Sequence, residues 1–174
     1  MRRPACGTYN GRMSTADALI VRPLWRGERS AVKAVFAGLS ERSRLLRFLA
    51  PVRELGPREL DRLADVGCCG REAVVATERG SGAAVGIARY VRDDDRPDTA
   101  EVAFEVVDAW QGRGVGTRLA RALARRAADD GVRRFRGTVA AENESSLALL
   151  RALGPVERTV RDGPTLELTI ALLR

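Results

Sequence analysis

The run Gln111-Gly112-Arg113-Gly114-Val115-Gly116 decides how this chain of 174 residues is read. Just before it, Ala100–Val107 reads as a β-strand; just after it, an apolar stripe at helical spacing runs from Gly116 to about Asp130 and stops at Gly131. Glycine at 112, 114 and 116 removes Cβ atoms where the chain turns sharply from strand to helix. The first N–H groups of such a helix have no intrahelical partner and carry the positive end of its dipole. They point at whatever anion sits there, and a pyrophosphate fits. Arg113 and Arg118 add positive charge at the rim.

Two other phosphate loops are excluded. The P-loop needs four residues between its glycines and a Gly-Lys-Ser/Thr ending, and no lysine stands here. The dinucleotide fingerprint lacks its third glycine at the required spacing, and the turn follows antiparallel strands rather than opening a βαβ unit.

Outward from the turn, the elements fall in a definite order. Leu19–Pro23 reads as a first strand, ended by proline. Residues 28–39 are an amphipathic helix, Ser40–Phe48 a second helix capped by Ser40, and Gly56-Pro57 opens a third, running to about Val66. Glu72–Thr77, Val85–Arg92 and Ala100–Val107 are then three strands joined by short antiparallel connections. After the motif helix come a strand over Arg134–Val139, a helix over Asn143–Leu153 stopped by Gly154-Pro155, and a hairpin of Val156–Arg161 and Thr165–Leu173. Asp162-Gly163 is the expected hairpin turn. This order predicts an α+β fold with a mixed sheet. Residues 1–16 read as a flexible leader, with Met13 an alternative start, and 17–174 as a single domain.

Composition narrows the chemistry. Histidine is absent, which removes His-based triads and most zinc sites, so no metal is expected. A base must be a carboxylate, a perturbed Lys or Tyr, or water. Three cysteines, Cys6, Cys68 and Cys69, make a poor disulfide framework. No apolar run is long enough to span a bilayer and no secretory signal is seen, so a cytoplasmic location with no membrane association is expected. Net charge is +7, and Lys33 is the only lysine beside the arginines. A codon bias toward arginine or attraction to anions both account for this. The arginines are spread rather than blocked, which speaks against nucleic acid as the partner.

Gln111–Gly116 resembles the Gln/Arg-x-x-Gly-x-Gly/Ala signature of the GNAT superfamily of N-acetyltransferases, and the element order over residues 18–173 matches that family too. Asn143-Glu144-Ser145-Ser146, entering a helix that ends at Leu153-Gly154, resembles the family's second motif. Ser43–Phe48, Gly86–Tyr90 and Ala100–Phe104 are similar to stretches of the catalytic domain of bacterial Pat-type protein-lysine acetyltransferases. The resemblance implies a mostly antiparallel sheet flanked by helices and splayed at the cofactor strand. It implies acetyl-CoA as cosubstrate, with the acetyl and pantetheine groups along the backbone of Phe104, Glu105 and Val106. The phosphates would lie on Gly112, Arg113, Gly114, Val115, Gly116 and Thr117, and Asn143 would reach the pantetheine arm. It also implies Glu101 as general base. The family's tyrosine general acid has Leu150 in its place, and Pro155 replaces the usual aromatic residue.

Spacing alone does not choose the base. Glu101 and Glu105 share one strand face but stand roughly 13 Å apart, so both cannot serve one site; Glu72 on a neighbouring strand is a weaker candidate. The acceptor implied is a protein lysine, on an acyl-CoA synthetase as in the resembled subfamily. A small amine, a protein N-terminus, or a non-catalytic acyl-CoA sensor role stay open, as do oligomeric state and any regulation in trans.

Overall fold

The structure, a computed structural model, describes residues 18–173; the leader assigned to 1–16, with Met13 and Cys6, lies outside them. The elements are β1 (Leu19–Pro23), α1 (Arg29–Ala37), α2 (Glu41–Phe48), α3 (Pro57–Ala64), β2 (Arg71–Glu78), β3 (Ala84–Arg92), β4 (Thr99–Val106), α4 (Val115–Asp129), β5 (Arg134–Ala140), α5 (Glu144–Arg151), β6 (Val156–Asp162) and β7 (Thr165–Ala171). The seven strands form one sheet in the order β1-β2-β3-β4-β5-β7-β6. Every neighbouring pair is antiparallel except β4–β5.

Local chemistry sets the element ends. The Ser40 hydroxyl accepts from the Ser43 N–H at 3.2 Å and starts α2. Pro57 stands at the first turn of α3, where its missing N–H costs nothing. The Asn143 side chain accepts from the Ser146 N–H at 3.1 Å and starts α5. One expectation is corrected. Asp162 pairs with Thr165, so the two-residue hairpin loop is Gly163-Pro164, not Asp162-Gly163. Gly163 supplies the positive φ at the first loop position that this turn requires.

Strand alternation divides the core between two faces. On one, α4 lays Val115, Leu119, Leu123 and Ala127 against Ala88, Tyr90 and Val102, with Leu147 and Leu150 of α5 beside them. On the other, α1 and α3 pack Val32, Val35 and Leu63 on Val75 and Ile87. Beyond β4 that second face carries Arg134, Arg136, Glu167 and Thr169, which alternate with the buried Phe135, Leu168 and Ile170. Helix α2 lies against β4 and β5, and none of its side chains is fully buried. No helix among the described residues is long and apolar enough to cross a membrane.

Candidate active site

The register of β4 creates the site. β4 and β5 pair only through Thr99, Ala100 and Glu101, and beyond Glu101 the two parallel strands part. Against β3, the Val107 N–H donates to Val85 O at 2.9 Å and the Asp93 N–H to Thr99 O at 2.9 Å. Hydrogen-bonded pairs alternate along an antiparallel ladder. Residues 101, 103 and 105 therefore bond to β3, while Phe104 and Val106 turn their N–H and C=O groups to the open edge facing β5. The backbone of Glu105, placed by the resemblance beside those of Phe104 and Val106, is committed to Ile87 on β3.

The glycine turn stands at the end of that open edge. Gly112 and Gly114 have φ of 68° and 76°, a conformation L side chains rarely adopt, and a Cβ on either would meet nothing within 4 Å. Their requirement is conformational. Gly116 differs: a Cβ there would lie 3.4 Å from Leu149 of α5 and 3.9 Å from Val106 of β4. The first rung of α4 is the Arg118 N–H to Gly114 O at 3.1 Å. The N–H groups of Val115, Gly116 and Thr117 therefore precede the helical ladder and face outward at its positive end. Arg113 is exposed with its guanidinium over the Trp110 ring at 5.4 Å. Arg118, by contrast, reaches the Leu19 carbonyl of β1 at 3.3 Å. Asn143 spends its side-chain oxygen on the α5 cap, which leaves its NH₂ for any further partner.

The three carboxylates have different surroundings. Glu101 is exposed, on the face covered by α2, with Arg136 as its register partner across β5. Glu105 is buried, with Arg89 at 2.6 Å and Arg47 of α2 at 3.3 Å. Burial alone would push the Glu105 carboxyl up, but the guanidiniums of Arg47 and Arg89 together hold it below the usual carboxylate range. Burial pulls the Arg47 guanidinium down, opposed by Glu105 and by the more distant Glu101. Arg89 also donates to Leu63 O and so ties α3 to the same cluster. Glu72 lies on the opposite sheet face, opposite Tyr90, and is paired with Arg126 at 2.8 Å. Arg126 is thus an ion-pair partner rather than part of a purely solvated helix face. The Tyr90 phenol is buried and donates to Asp130; burial and that bond push it up, away from service as a base near neutral pH.

Leu150 is 1% exposed and seats on Gly137, where a Cβ would come within 2.9 Å of it. Sequence reasoning missed two residues. Arg47 lies inside the Ser43–Phe48 stretch with no local sign of its partner, and nothing in the sequence around Gln111 assigns a partner to the Gln111 side chain. Its Nε2 bonds Val106 O at 3.0 Å on the open edge of β4. On the same sheet face as Glu101, around its register partner Arg136, a cleft of about 600 Å³ is lined by both signs of charge. In it Arg136 pairs with Asp93 at 3.3 Å and with Glu167 at 3.8 Å, and Arg134 with Glu157 at 2.7 Å. No group of three or more potential metal-ligating side chains comes together among the described residues.

A strand splayed from its parallel neighbour, with a glycine turn presenting a helix N-terminus at the fork, is the arrangement of an acyl-CoA-using transferase domain. The profile of the Acetyltransferase (GNAT) family matches residues 44–154, and the chain belongs to that family. It is 33% identical over 147 residues to Acetyltransferase Pat of Mycolicibacterium smegmatis, which covers 83% of this chain and 43% of that protein. The chain thus spans less than half the length of this relative. It is 32% identical over 149 residues to Acetyltransferase PA5475 of Pseudomonas aeruginosa, covering 84% of this chain and 80% of that one. The crystal structure of the GNAT domain of S. lividans PAT superposes with a TM-score of 0.78 at 28% identity, over 87% of this chain and 89% of that domain. The GNAT resemblance and the splayed α+β sheet expected from the sequence are both borne out.

Proposed function

We propose that this protein transfers an acetyl group from acetyl-CoA to a primary amine, a protein lysine side chain, with Glu101 as general base. The observation that carries the reading is that β4 brings three functions to one strand. Its edge at Phe104 and Val106, which no neighbouring strand pairs, suits the amides of a pantetheine arm. It leads into a helix N-terminus suited to phosphates. It also carries one exposed carboxylate, Glu101. Glu105 is engaged by two arginines and Glu72 is paired with Arg126 on the far face, so of the three only Glu101 stands outside a close ion pair.

A lysine amine has a reference pKa of about 10.4 and attacks only when neutral. Glu101 takes its proton through water. The amine nitrogen bonds to the thioester carbonyl carbon, the Val106 N–H at the open edge donates to the developing oxyanion, and the C–S bond breaks. Leu150 supplies no hydroxyl, so the proton that the attacking nitrogen sheds as the intermediate collapses to the amide passes through water to the leaving thiolate. The amide product and free coenzyme A balance the step.

The acceptor assignment is supported by the cleft around Arg136, the register partner of Glu101. Four carboxylates and four guanidiniums line it: Asp93, Asp95, Glu157 and Glu167 with Arg96, Arg134, Arg136 and Arg158. Such a wall complements a polypeptide surface of mixed charge better than a small cation. An acyl-CoA synthetase is the first protein to test, in a cytoplasmic setting. Glu101→Gln is expected to lower kcat about 100-fold or more while acetyl-CoA affinity stays within about twofold; unchanged turnover removes Glu101 from the role. Mass spectrometry after incubation with acetyl-CoA and candidate acceptors reads the acceptor directly. Adducts confined to small amines or protein N-termini would overturn the lysine assignment, and no adduct on any acceptor would favour a sensor.

A further inference from the structure

We infer that Gln111, acting through Ser43, is a positioning residue that seats α2 when the cofactor binds; this rests on reading the open β4 edge and residues 112–117 as the acetyl-CoA site. The Gln111 Nε2 lies within hydrogen-bond reach of three acceptors: Val106 O at 3.0 Å, Asp108 Oδ1 at 3.1 Å and Ser43 Oγ at 3.3 Å. An amide nitrogen has only two hydrogens, so three acceptors share them. Ser43 holds the longest of the three contacts. Val106 O belongs to the open edge of β4, where an amide N–H of a bound ligand would pair. A ligand donor on Val106 O shares that oxygen with Nε2 and loosens its hold there, which shifts the amide's donation toward the Ser43 contact already present.

Helix α2 is built to respond. It has no fully buried side chain, and much of its anchorage is polar. Arg47 reaches Glu105 at 3.3 Å, and the Ser40 N–H at its cap reaches Asp108 Oδ2 at 3.3 Å. Asp108 thus serves both the α2 cap and Gln111, and one side chain links the phosphate turn, the cofactor strand and the helix lying over Glu101's face. The contact changes no covalent bond and touches no reacting atom.

Hydrogen exchange followed by mass spectrometry on the full chain, with and without acetyl-CoA, tests this in wild type, Ser43→Ala and Ser43→Thr. In wild type acetyl-CoA should slow exchange both at 112–117 and in 41–48. Because the Ser43 hydroxyl already contacts Ser40 and Gln111 without ligand, Ser43→Ala should exchange somewhat faster than wild type in 41–48 without ligand, keep the slowing at 112–117, and lose the ligand-dependent slowing in 41–48. Ser43→Thr, which keeps the hydroxyl, should restore it. By reciprocity Ser43→Ala should weaken acetyl-CoA affinity by about fivefold at most. The inference is overturned if α2 in Ser43→Ala is still slowed by ligand as in wild type, or exchanges faster than wild type by the same factor with and without ligand. Absence of slowing at 112–117 in wild type would instead remove the acetyl-CoA reading, and this inference with it.

Discussion

Two glycines of one turn differ in kind, and substitution separates them. At Gly114 a Cβ meets nothing but φ is 76°, so Gly114→Ala carries a conformational cost of about 1–2 kcal/mol. At Gly116 the backbone is helical and a Cβ finds ordinary contacts with Leu149 and Val106. Gly116→Ala should therefore leave the urea midpoint nearly unchanged yet weaken acetyl-CoA binding about tenfold or more, because its methyl stands at the mouth of the fork where the backbone must be approached closely. Calorimetric titration and urea unfolding of the two variants check the contrast. Glu105 gives a second prediction at this scale. Its folded pKa lies below the unfolded value of about 4.3, so the unfolded state binds the extra proton first. The stability it contributes is complete above about pH 4.3 and is lost as pH falls through the folded pKa. Glu105→Gln leaves Arg47 and Arg89 uncompensated and should cost about 3–5 kcal/mol at pH 7. Urea midpoints of wild type and variant should converge as pH is lowered below about 4; a gap independent of pH would show that the ion pairs are not its source.

Helix α5 and strand β5 form the far wall of the fork, and their spacing hangs on one missing methyl. A Cβ at Gly137 would come within 2.9 Å of Leu150 and 3.6 Å of Val102. Gly137→Ala should destabilise the protein by about 1–3 kcal/mol, read as a lower urea midpoint at constant slope. An unchanged midpoint would mean that α5 shifts freely on β5. This wall also shows what a linear sequence conveys. The strand before Gln111, the 3.6-residue stripe of α4 and the cap at Ser40 are local signals, and each element they announce is present. The hairpin loop moved by one residue because Asp-Gly and Gly-Pro both carry turn chemistry, and only the pairing of Asp162 with Thr165 decides between them. The burial of Glu105 was not legible. Alternation placed it on a face with Glu101 but could not say that Arg89, 16 residues away, and Arg47 of α2 would close over one and leave the other exposed. The fan of contacts at Gln111 was hidden for the same reason, since Ser43 is 68 residues distant.

At the scale of the whole molecule, the sheet has two halves joined by one short parallel seam. β1–β4 carry α1 and α3 on one face and α4 on the other, while β5, β7 and β6 form a second antiparallel block. The seam between them is three residue pairs, Thr99–Glu101 with Arg134–Arg136. A ligand lying in the fork would touch β4, the start of α4 and the cap of α5 together, and so brace both halves in the native state alone. Anything that binds only the folded chain stabilises it by RT ln(1 + [L]/Kd), about 2.7 kcal/mol at one hundred times Kd. For a protein of 174 residues this corresponds to a rise in Tm of about 5–10 °C. Acetyl-CoA should produce that shift, and Gly116→Ala should shift only at proportionately higher ligand. The +7 net charge sets the control. If arginine-rich attraction to polyanions were the source of binding, duplex DNA would raise Tm as well, and both shifts would collapse as salt is increased from about 50 to 200 mM. A cofactor held by backbone N–H groups at one helix end should lose far less over that range, so differential scanning calorimetry at the two salt concentrations distinguishes a shaped site from a charged surface.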